Sequence, residues 1–286
     1  MTRPFSLSPE QLEQFERLGV VRLEGLFSAD GVRSAREAVL RRLAQRGITE
    51  AGGWRLDDPR LNEVRAGHPW WRVSQPLPSR AIGGQPGRAS ELEALGREPA
   101  LLAAAEALLG GREFDRTGQQ RLRVLINLPD PAPWTTPRGW HTDSQQLASG
   151  QSPGLQLFAF LDVVGPGGGG TLVVTGSHRL LKSGRFMTQP QVRERLNQHP
   201  FFKRFESEAP TEPKDQARLM SETYLAGDVE LKIMELTGQP GDAYFTDLRL
   251  AHTGRPNSSD HPRLMITRPF IRADLKREIR EGPGRR

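Results

Sequence analysis

Residues 155–175 read LQLFAFLDVVGPGGGGTLVVT, two short apolar runs joined by a glycine-rich connection. Short runs of leucine, valine and phenylalanine that end at turn residues are typical of buried strands. The glycines of 165–170 can adopt positive φ, as a tight turn requires. They do not indicate phosphate binding, because neither a Gly-Lys-Ser/Thr motif nor a helix follows them. This stretch therefore predicts two strands, 155–164 and 171–175, joined by a tight connection.

The same alternation of β runs and turns continues on both sides of this stretch. Further β-branched and aromatic runs lie at 120–128 (QRLRVLINL), 229–236, 242–247 and 263–271. Residues 183–226 interrupt the series. They are polar, with a helical centre from Gln191 to Phe205, and we interpret them as an insertion between strands.

The region before these runs is predicted to be mainly helical. Ser8 is an N-cap residue followed by a proline at the first helical position. Ser28 caps a second helix in the same way, and glycines follow the expected ends. The predicted helices are 8–18, 28–45 and 91–109, with a short strand at 20–23 and long loops at 48–90 that can cover a site.

A helical part followed by an antiparallel β region predicts an α+β fold, with a sandwich or open barrel carrying the site. We expect one domain over residues 1–286. Its mainly helical part is 1–115, and its β core is 116–275 with the insertion 183–226.

The composition limits the chemistry of any site. The 286 residues include no cysteine, which excludes disulfides, zinc–thiolate sites, iron–sulfur clusters and thiol nucleophiles. Any metal must therefore be held by histidine and carboxylate. No apolar run approaches the roughly 20 residues that span a bilayer, and the N-terminus lacks a signal pattern, so we expect a cytoplasmic protein.

The charge balance leaves two interpretations open. The formal net charge is +6, from 40 basic and 34 acidic residues. The excess basic residues either lie on a solvated surface rich in arginine, or they bind an anionic or CoA-linked substrate through the arginines of 55–90. The sequence has no nucleic-acid-binding module and no membrane segment, and no pattern predicts an oligomeric state.

The triplet His141-Thr142-Asp143 is the first candidate for metal binding. Side chains at i and i+2 of a strand point to the same face, so an imidazole and a carboxylate can share one ion. Taken alone, such a triplet is more often a solvent-facing turn.

His252 follows the β run 242–247, and Arg263 begins the run 263–271. These two positions strengthen the metal interpretation. Two histidines and one carboxylate on one face of an octahedral ion leave three open positions, as in Fe(II) oxygenases. A 2-oxoglutarate takes two of them. Its distal carboxylate needs a buried cation, and the planar guanidinium of arginine suits this role. The alternative for Arg263 alone is a surface salt bridge.

From Gly139 to Phe270 the chain resembles the phytanoyl-CoA dioxygenase family of Fe(II)/2-oxoglutarate oxygenases. The resemblance rests on an ordered set of motifs: Trp140-His141-Thr142-Asp143, the strand 155–162, Gly169-Gly170-Thr171, Thr175-Gly176-Ser177-His178, Pro240-Gly241-Asp242, His252, Asn257 and Arg263. The helix–strand–helix opening of residues 8–45 also resembles the family.

The resemblance implies a double-stranded β-helix (jelly-roll, cupin-like) core with flanking N-terminal helices. It further implies that His141, Asp143 and His252 bind iron and that Arg263 anchors 2-oxoglutarate. His178 is expected to be structural. At position 254 this chain has glycine, whereas relatives often have a serine or threonine there, beside the cosubstrate carboxylate.

Five further residues are candidates for cofactor binding. In 120–128, Arg123 and Asn127 share one face, which either lines the cavity or meets solvent. Gln156 and Thr171 are similar candidates. Trp140 either packs over the site or belongs to the core.

The reaction that the resemblance implies is hydroxylation of an unactivated C–H bond of a small molecule by dioxygen, with release of succinate and CO2. Desaturation, epimerisation or cyclisation in natural-product tailoring are alternatives with the same cofactors. A halogenase is disfavoured because Asp143 occupies the carboxylate position. A non-oxidative cupin-like metalloenzyme would not need Arg263, and in a β-sandwich binding module the histidines would be incidental.

Overall fold

A computed structural model describes residues 6–45, 48–52, 90–115, 122–129, 139–181, 184–206 and 213–281. Two antiparallel sheets dominate this part of the chain. The strands are β1 Val20–Leu23, β2 Arg123–Asn127, β3 Gly154–Phe160, β4 Leu172–Thr175, β5 Thr223–Ala226, β6 Val229–Glu235, β7 Ala243–Asp247, β8 His252–Thr253 and β9 Arg263–Ile271. The larger sheet has the order β1-β7-β3-β9-β2, and the smaller one β5-β6-β4-β8. The core is the predicted jelly roll.

Eight α-helices flank the sheets in the described ranges. They are α1 Pro9–Leu18, α2 Ala29–Ala44, α3 Ser90–Leu95, α4 Pro99–Leu108, α5 Gln189–Gln198, α6 Pro200–Glu206, α7 Pro213–Ser221 and α8 Lys276–Glu281. A short 3-10 helix, Ser177–Leu181, follows β4. None of these helices has both the length and the apolar character needed to cross a membrane.

Alternation along the strands sorts side chains between two faces of the larger sheet. Val124, Ile126 and Phe245 pack outward against helices α2 to α4. Phe158 and Met265 point inward, toward the smaller sheet. The outer face of the smaller sheet is covered by the insertion helices, whose phenylalanines pack beside β4 and β6. Both outer faces are thus covered by helices, which leaves the space between the two sheets for a site.

The predicted capping of the N-terminal helix is confirmed. The Ser8 hydroxyl accepts a hydrogen bond from Gln11 N–H at 3.2 Å, and Gln11 Oε1 accepts one from Ser8 N–H at 2.9 Å. Gly19 ends the helix with φ 73°. A Cβ at this position would lie 2.4 Å from His178 Nδ1, so only glycine fits this close approach.

Two predicted helices are wrong in detail because of proline. The helix expected at 91–109 is two helices, α3 and α4, and Pro99 begins the second. Proline lacks an N–H, and its ring clashes with the preceding turn, so a helix ends before it. Pro200 divides the helical centre of the insertion into α5 and α6 in the same way. The strands β5 and β8 were missed, since β8 has only two residues and β5 lies in the polar insertion.

Some predictions fall outside the described residues. Most of the predicted loop region 48–90 does so, with all the arginines between 55 and 88.

Candidate metal centre

His141 and His252 lie side by side at the mouth of the jelly roll. Their backbones form an isolated antiparallel bridge, with N–H···O distances of 3.0 and 2.9 Å in the two directions. The centroids of the two imidazole rings are 4.4 Å apart. The bridge therefore brings together two side chains that are 111 residues apart in sequence.

Each imidazole is held by a backbone carbonyl. His141 Nδ1 lies 3.0 Å from the oxygen of Gly139, and His252 Nδ1 lies 3.0 Å from the oxygen of Leu250. A carbonyl oxygen only accepts, so both Nδ1 atoms carry the proton and donate it. The lone pair of each ring then resides on Nε2, which is the form that binds a metal.

Asp143 completes the set. Its backbone N–H donates to Leu248 O at 3.1 Å, and its Oδ2 lies 3.6 Å from His252 Nε2. The ligand atoms of Asp143, His141 and His252 all lie within 4.8 Å of one another. Metal–ligand bonds of about 2 Å fit within this span. Among the described residues no other group of histidine and carboxylate side chains meets this condition.

The protonation of His141 suits metal binding. Burial, and after it the neighbouring His252, lower its pKa to about 4. The ring is therefore neutral near pH 7 and need not lose a proton to bind a cation. The Asp143 side chain is about one-third exposed, with 34% of its surface accessible, and marks the open side of the centre.

A buried ion pair holds the turn that leads into His252. Asp247 and Arg249 are bonded through both carboxylate oxygens, at 3.0 and 2.8 Å, and each side chain is only 5% exposed. Arg249 also donates to Gly150 O at 2.8 Å. Burial opposes ionisation of Asp247, but the charge and hydrogen bonds of Arg249 hold its pKa below the ordinary value. The bonds of Arg249 to Asp247 and to Gly150 thus fix the turn that precedes His252.

Changing Asp247 to asparagine is expected to lower the free energy of unfolding by about 3 kcal/mol, because the buried Arg249 would lose its counter-charge. Urea denaturation measures this loss. Asp30→Asn is the matched control, because its pair with Arg33 is exposed and such pairs contribute at most about 1 kcal/mol. Equal effects of the two variants would contradict the role given to the buried pair.

Arg263 lies deep between the sheets, with 2% of its surface exposed. Its Nη1 donates to Gly169 O at 2.7 Å, while its buried Nε has no hydrogen-bond partner. Burial, partly offset by the charge of Glu235, lowers its pKa to about 10. Within the described ranges no carboxylate forms a salt bridge with it. A buried guanidinium in this state is suited to an external anion.

Asn127 and Thr171 lie at the same end of the interior as Arg263. Asn127 is the direct β-sheet partner of Arg263. Its Nδ2 donates to Arg255 O at 2.8 Å and to Gly169 O at 3.4 Å. Thr171 is buried and directly precedes β4.

Gln156 and Arg123 lie farther along the sheet. Gln156 is opposite Pro269 on β9, six positions beyond Arg263, which is about 20 Å along a strand. Its amide nitrogen donates to Thr267 Oγ1. Arg123 pairs with Thr267 and is exposed. Neither residue lies beside Arg263 in the strand register.

Trp140 and His178 are packed in the core. Trp140 is 1% exposed and contacts the rings of Phe202 and Phe205 in the insertion helices. It therefore anchors the backbone next to His141 to the core. His178 is buried in the 3-10 helix, with Nε2 3.1 Å from Glu16 O.

Sequence reasoning missed two parts of the neighbourhood. Phe158 packs edge-on against the His252 ring, with centroids 5.9 Å apart, and this contact joins the two sheets, so no spacing in the sequence indicates it. Glu235 and Arg255 form an ion pair next to Arg263, and nothing in their sequence spacing points to it.

Comparisons with known proteins support the same picture. A family model described as Phytanoyl-CoA dioxygenase (PhyH) matches residues 15–265. No curated protein sequence matches the chain.

Three solved structures illustrate the shared fold. The non-heme alpha ketoglutarate dependent carbocyclase SnoK from nogalamycin biosynthesis is 17% identical, with a TM-score of 0.54, over 94% of this chain and 85% of that one. EctD from S. alaskensis, with 2-oxoglutarate and 5-hydroxyectoine, is 19% identical, with a TM-score of 0.55 over 96% and 79%. EvdO2 from Micromonospora carbonacea var. aurantiaca, complexed with 2-oxoglutarate, is 17% identical, with a TM-score of 0.53 over 96% and 94%.

Proposed function

The chain belongs to the phytanoyl-CoA dioxygenase family of Fe(II)- and 2-oxoglutarate-dependent oxygenases, and we propose that His141, Asp143 and His252 bind its iron while Arg263 anchors 2-oxoglutarate. The single observation that carries this assignment is the convergence of three ligand atoms within 4.8 Å. Arg263 supports it independently, because its buried Nε lacks a partner that an organic anion would supply.

The donor set fits Fe(II). Two neutral imidazoles and one carboxylate are the ligands of non-heme iron oxygenases, and they leave open positions for a bidentate oxo acid and dioxygen. When bound, the iron and 2-oxoglutarate supply oxidation of an unactivated C–H bond, with release of succinate and CO2. The remaining steps of this proposal concern the residues of the chain itself.

Those residues bind, orient and exclude water. The carbonyls of Gly139 and Leu250 keep the two Nε2 atoms available. The Arg263 guanidinium would take the distal carboxylate through charge-assisted hydrogen bonds. Phe158 and Met265, which are 4% and 0% exposed, form apolar walls of the interior. Such walls keep water from the bound cosubstrate.

The strand register supports a division of the interior into two halves. Asn127 and Thr171 lie with Arg263, so we assign them to the cosubstrate half. Gln156 lies beyond Phe158, toward the other end, and the exposed Arg123 lies level with Phe158 through Thr267, so we assign both to the substrate half. This changes the cofactor-binding role that the sequence suggested for these two residues.

Hydroxylation of a small molecule is the proposed reaction. Desaturation, epimerisation and cyclisation remain candidates because the same fold occurs in SnoK, which is described as a carbocyclase. Mass spectrometry separates these outcomes: hydroxylation adds one oxygen atom, desaturation and cyclisation remove two hydrogen atoms, and epimerisation leaves the mass unchanged. A single domain over 1–286, a cytoplasmic location, an anionic substrate and the absence of a nucleic-acid partner stay predictions.

The assignment is tested by anaerobic titration of 2-oxoglutarate into the Fe(II)-loaded protein. We expect the visible charge-transfer absorption of an iron–oxo-acid chelate to appear and saturate. On admission of air, we expect succinate release that a panel of candidate substrates accelerates. Absence of the chelate absorption at saturating iron and 2-oxoglutarate would refute the proposal.

Changing Gln156 to leucine is expected to leave the 2-oxoglutarate Kd within about twofold of wild type, because this side chain lies about 20 Å along the sheet from Arg263. Asn127→Leu is the matched comparison and should weaken binding about tenfold, since Asn127 supports the Gly169 carbonyl that holds Arg263. The same titration measures both. A loss for Gln156→Leu as large as that for Asn127→Leu would place Gln156 in the cosubstrate half.

A further inference from the structure

A buried ion pair lies beside the cosubstrate anchor. Glu235 at the end of β6 and Arg255 after β8 form a salt bridge, with side chains 9% and 19% exposed respectively. The Glu235 carboxylate also accepts the Gly167 N–H at 3.0 Å. An ion pair with this little exposure is screened only weakly by solvent, so its charges act on their neighbours.

Glu235 and Arg263 both contact the same glycine segment, residues 167–170. Arg263 donates to Gly169 O at 2.7 Å, while a Cβ added at Gly170 would lie 3.0 Å from Glu235 Cγ. Asn127 links Arg255 to the glycine segment, since its Nδ2 donates to both Gly169 O and Arg255 O. Glu235 is therefore close to Arg263 without forming a salt bridge with it.

The electrostatics of these groups are linked. Burial raises the pKa of Glu235, while the charge of Arg255 and the Gly167 N–H favour its ionised form. The charge of Glu235 in turn raises the pKa of Arg263 against the effect of burial. Arg263 thus has a resident negative charge nearby that competes with any incoming carboxylate.

We propose that the Glu235–Arg255 pair tunes the affinity of Arg263 for the distal carboxylate of the cosubstrate. Glu235 weakens binding by placing a like charge near that carboxylate, and Arg255 limits this effect by neutralising Glu235. The inference rests on the proposed function. Succinate keeps the same distal carboxylate, so Glu235 also favours release of the product.

The two members of the pair should act in opposite directions. We expect Glu235→Gln to tighten 2-oxoglutarate binding about three- to tenfold, because the amide oxygen can still accept the Gly167 N–H while the negative charge is gone. We expect Arg255→Gln to weaken it by a similar factor, because Glu235 is then uncompensated. Anaerobic titration of each Fe(II)-loaded variant, followed by the chelate absorption, gives the Kd.

The control ligand is 2-oxopentanoate, which chelates iron through the same oxo-acid group but lacks the distal carboxylate. Its Kd should be insensitive to both substitutions. The double variant Glu235→Gln/Arg255→Gln, which is neutral at both positions, should return the 2-oxoglutarate Kd to within about twofold of wild type. If one single variant fails to fold, the direction of the shift in the other single variant is the test.

Weaker 2-oxoglutarate binding in both single variants would overturn the proposal, because a purely structural pair loses affinity whichever member is removed. Equal shifts for 2-oxoglutarate and 2-oxopentanoate would overturn it as well. A double variant with strongly altered 2-oxoglutarate affinity would do the same. If the wild-type protein forms no chelate with either ligand, the iron site itself is refuted, which is a separate result.

Discussion

Alanine at position 141 is expected to abolish iron-dependent turnover, with a loss of at least roughly 1000-fold in succinate release. His141 supplies one of three converging ligand atoms, and in the described part of the chain no other histidine or carboxylate belongs to this cluster. His252→Ala and Asp143→Ala should behave alike. Iron content after anaerobic reconstitution measures the loss of metal binding, and the rate of succinate release measures the loss of turnover.

His261→Ala is the matched control for this series. His261 is half-exposed and pairs with Asp260 on the surface, so its imidazole should affect neither iron content nor rate. Circular dichroism of each variant checks that the fold survives, which we expect because the three ligands lie at the mouth of the interior. Retention of wild-type turnover in His141→Ala or Asp143→Ala would show that the site assignment is wrong.

The same variants separate the competing classes of protein. A non-oxidative cupin-like metalloenzyme would lose metal in His141→Ala, but its wild type would release no succinate. A binding module with incidental histidines would keep its function in all three variants. Only the oxygenase predicts a joint loss of iron and succinate release.

The sequence predicted the parts of this molecule that depend on local pattern. Short apolar and β-branched runs between turns predicted the strands at 155–164 and 263–271, and the i, i+2 spacing of His141 and Asp143 predicted a shared face. Cap residues located the N-terminal helices because capping involves neighbours in sequence. His252 and Arg263 were candidates from their places beside β runs, and the resemblance to a known family gave them roles that no single spacing establishes.

The remaining features depend on contacts between distant segments. Proline broke helices that the apolar pattern favoured, because the missing N–H outweighs the propensity of the flanking residues. The Asp247–Arg249 and Glu235–Arg255 pairs are visible only once strands are in register. Trp140 follows the same logic. Its position beside a ligand left a pocket role and a core role open, and only the tertiary structure shows that its ring packs among the insertion helices.

Methionine at position 263 is expected to weaken 2-oxoglutarate binding about 1000-fold. The guanidinium would form two charge-assisted hydrogen bonds with the distal carboxylate, each contributing roughly 2 kcal/mol, and a factor of ten in Kd corresponds to about 1.4 kcal/mol. Arg263→Lys should lose less, because it keeps the charge but not the planar pair of donors. Anaerobic titration measures the Kd, with 2-oxopentanoate as the ligand that should be unaffected.

Thermal stability separates this loss from a damaged fold. In the absence of ligand, Arg263→Met should melt at or above the wild-type temperature, because it removes a buried cation whose Nε has no partner. Wild type should be stabilised further as 2-oxoglutarate is added with Fe(II), in proportion to RT ln(1 + [L]/Kd), and the variant should not. A variant that melts far below wild type without ligand, or that keeps its ligand-induced stabilisation, would show that Arg263 serves the fold rather than the cosubstrate.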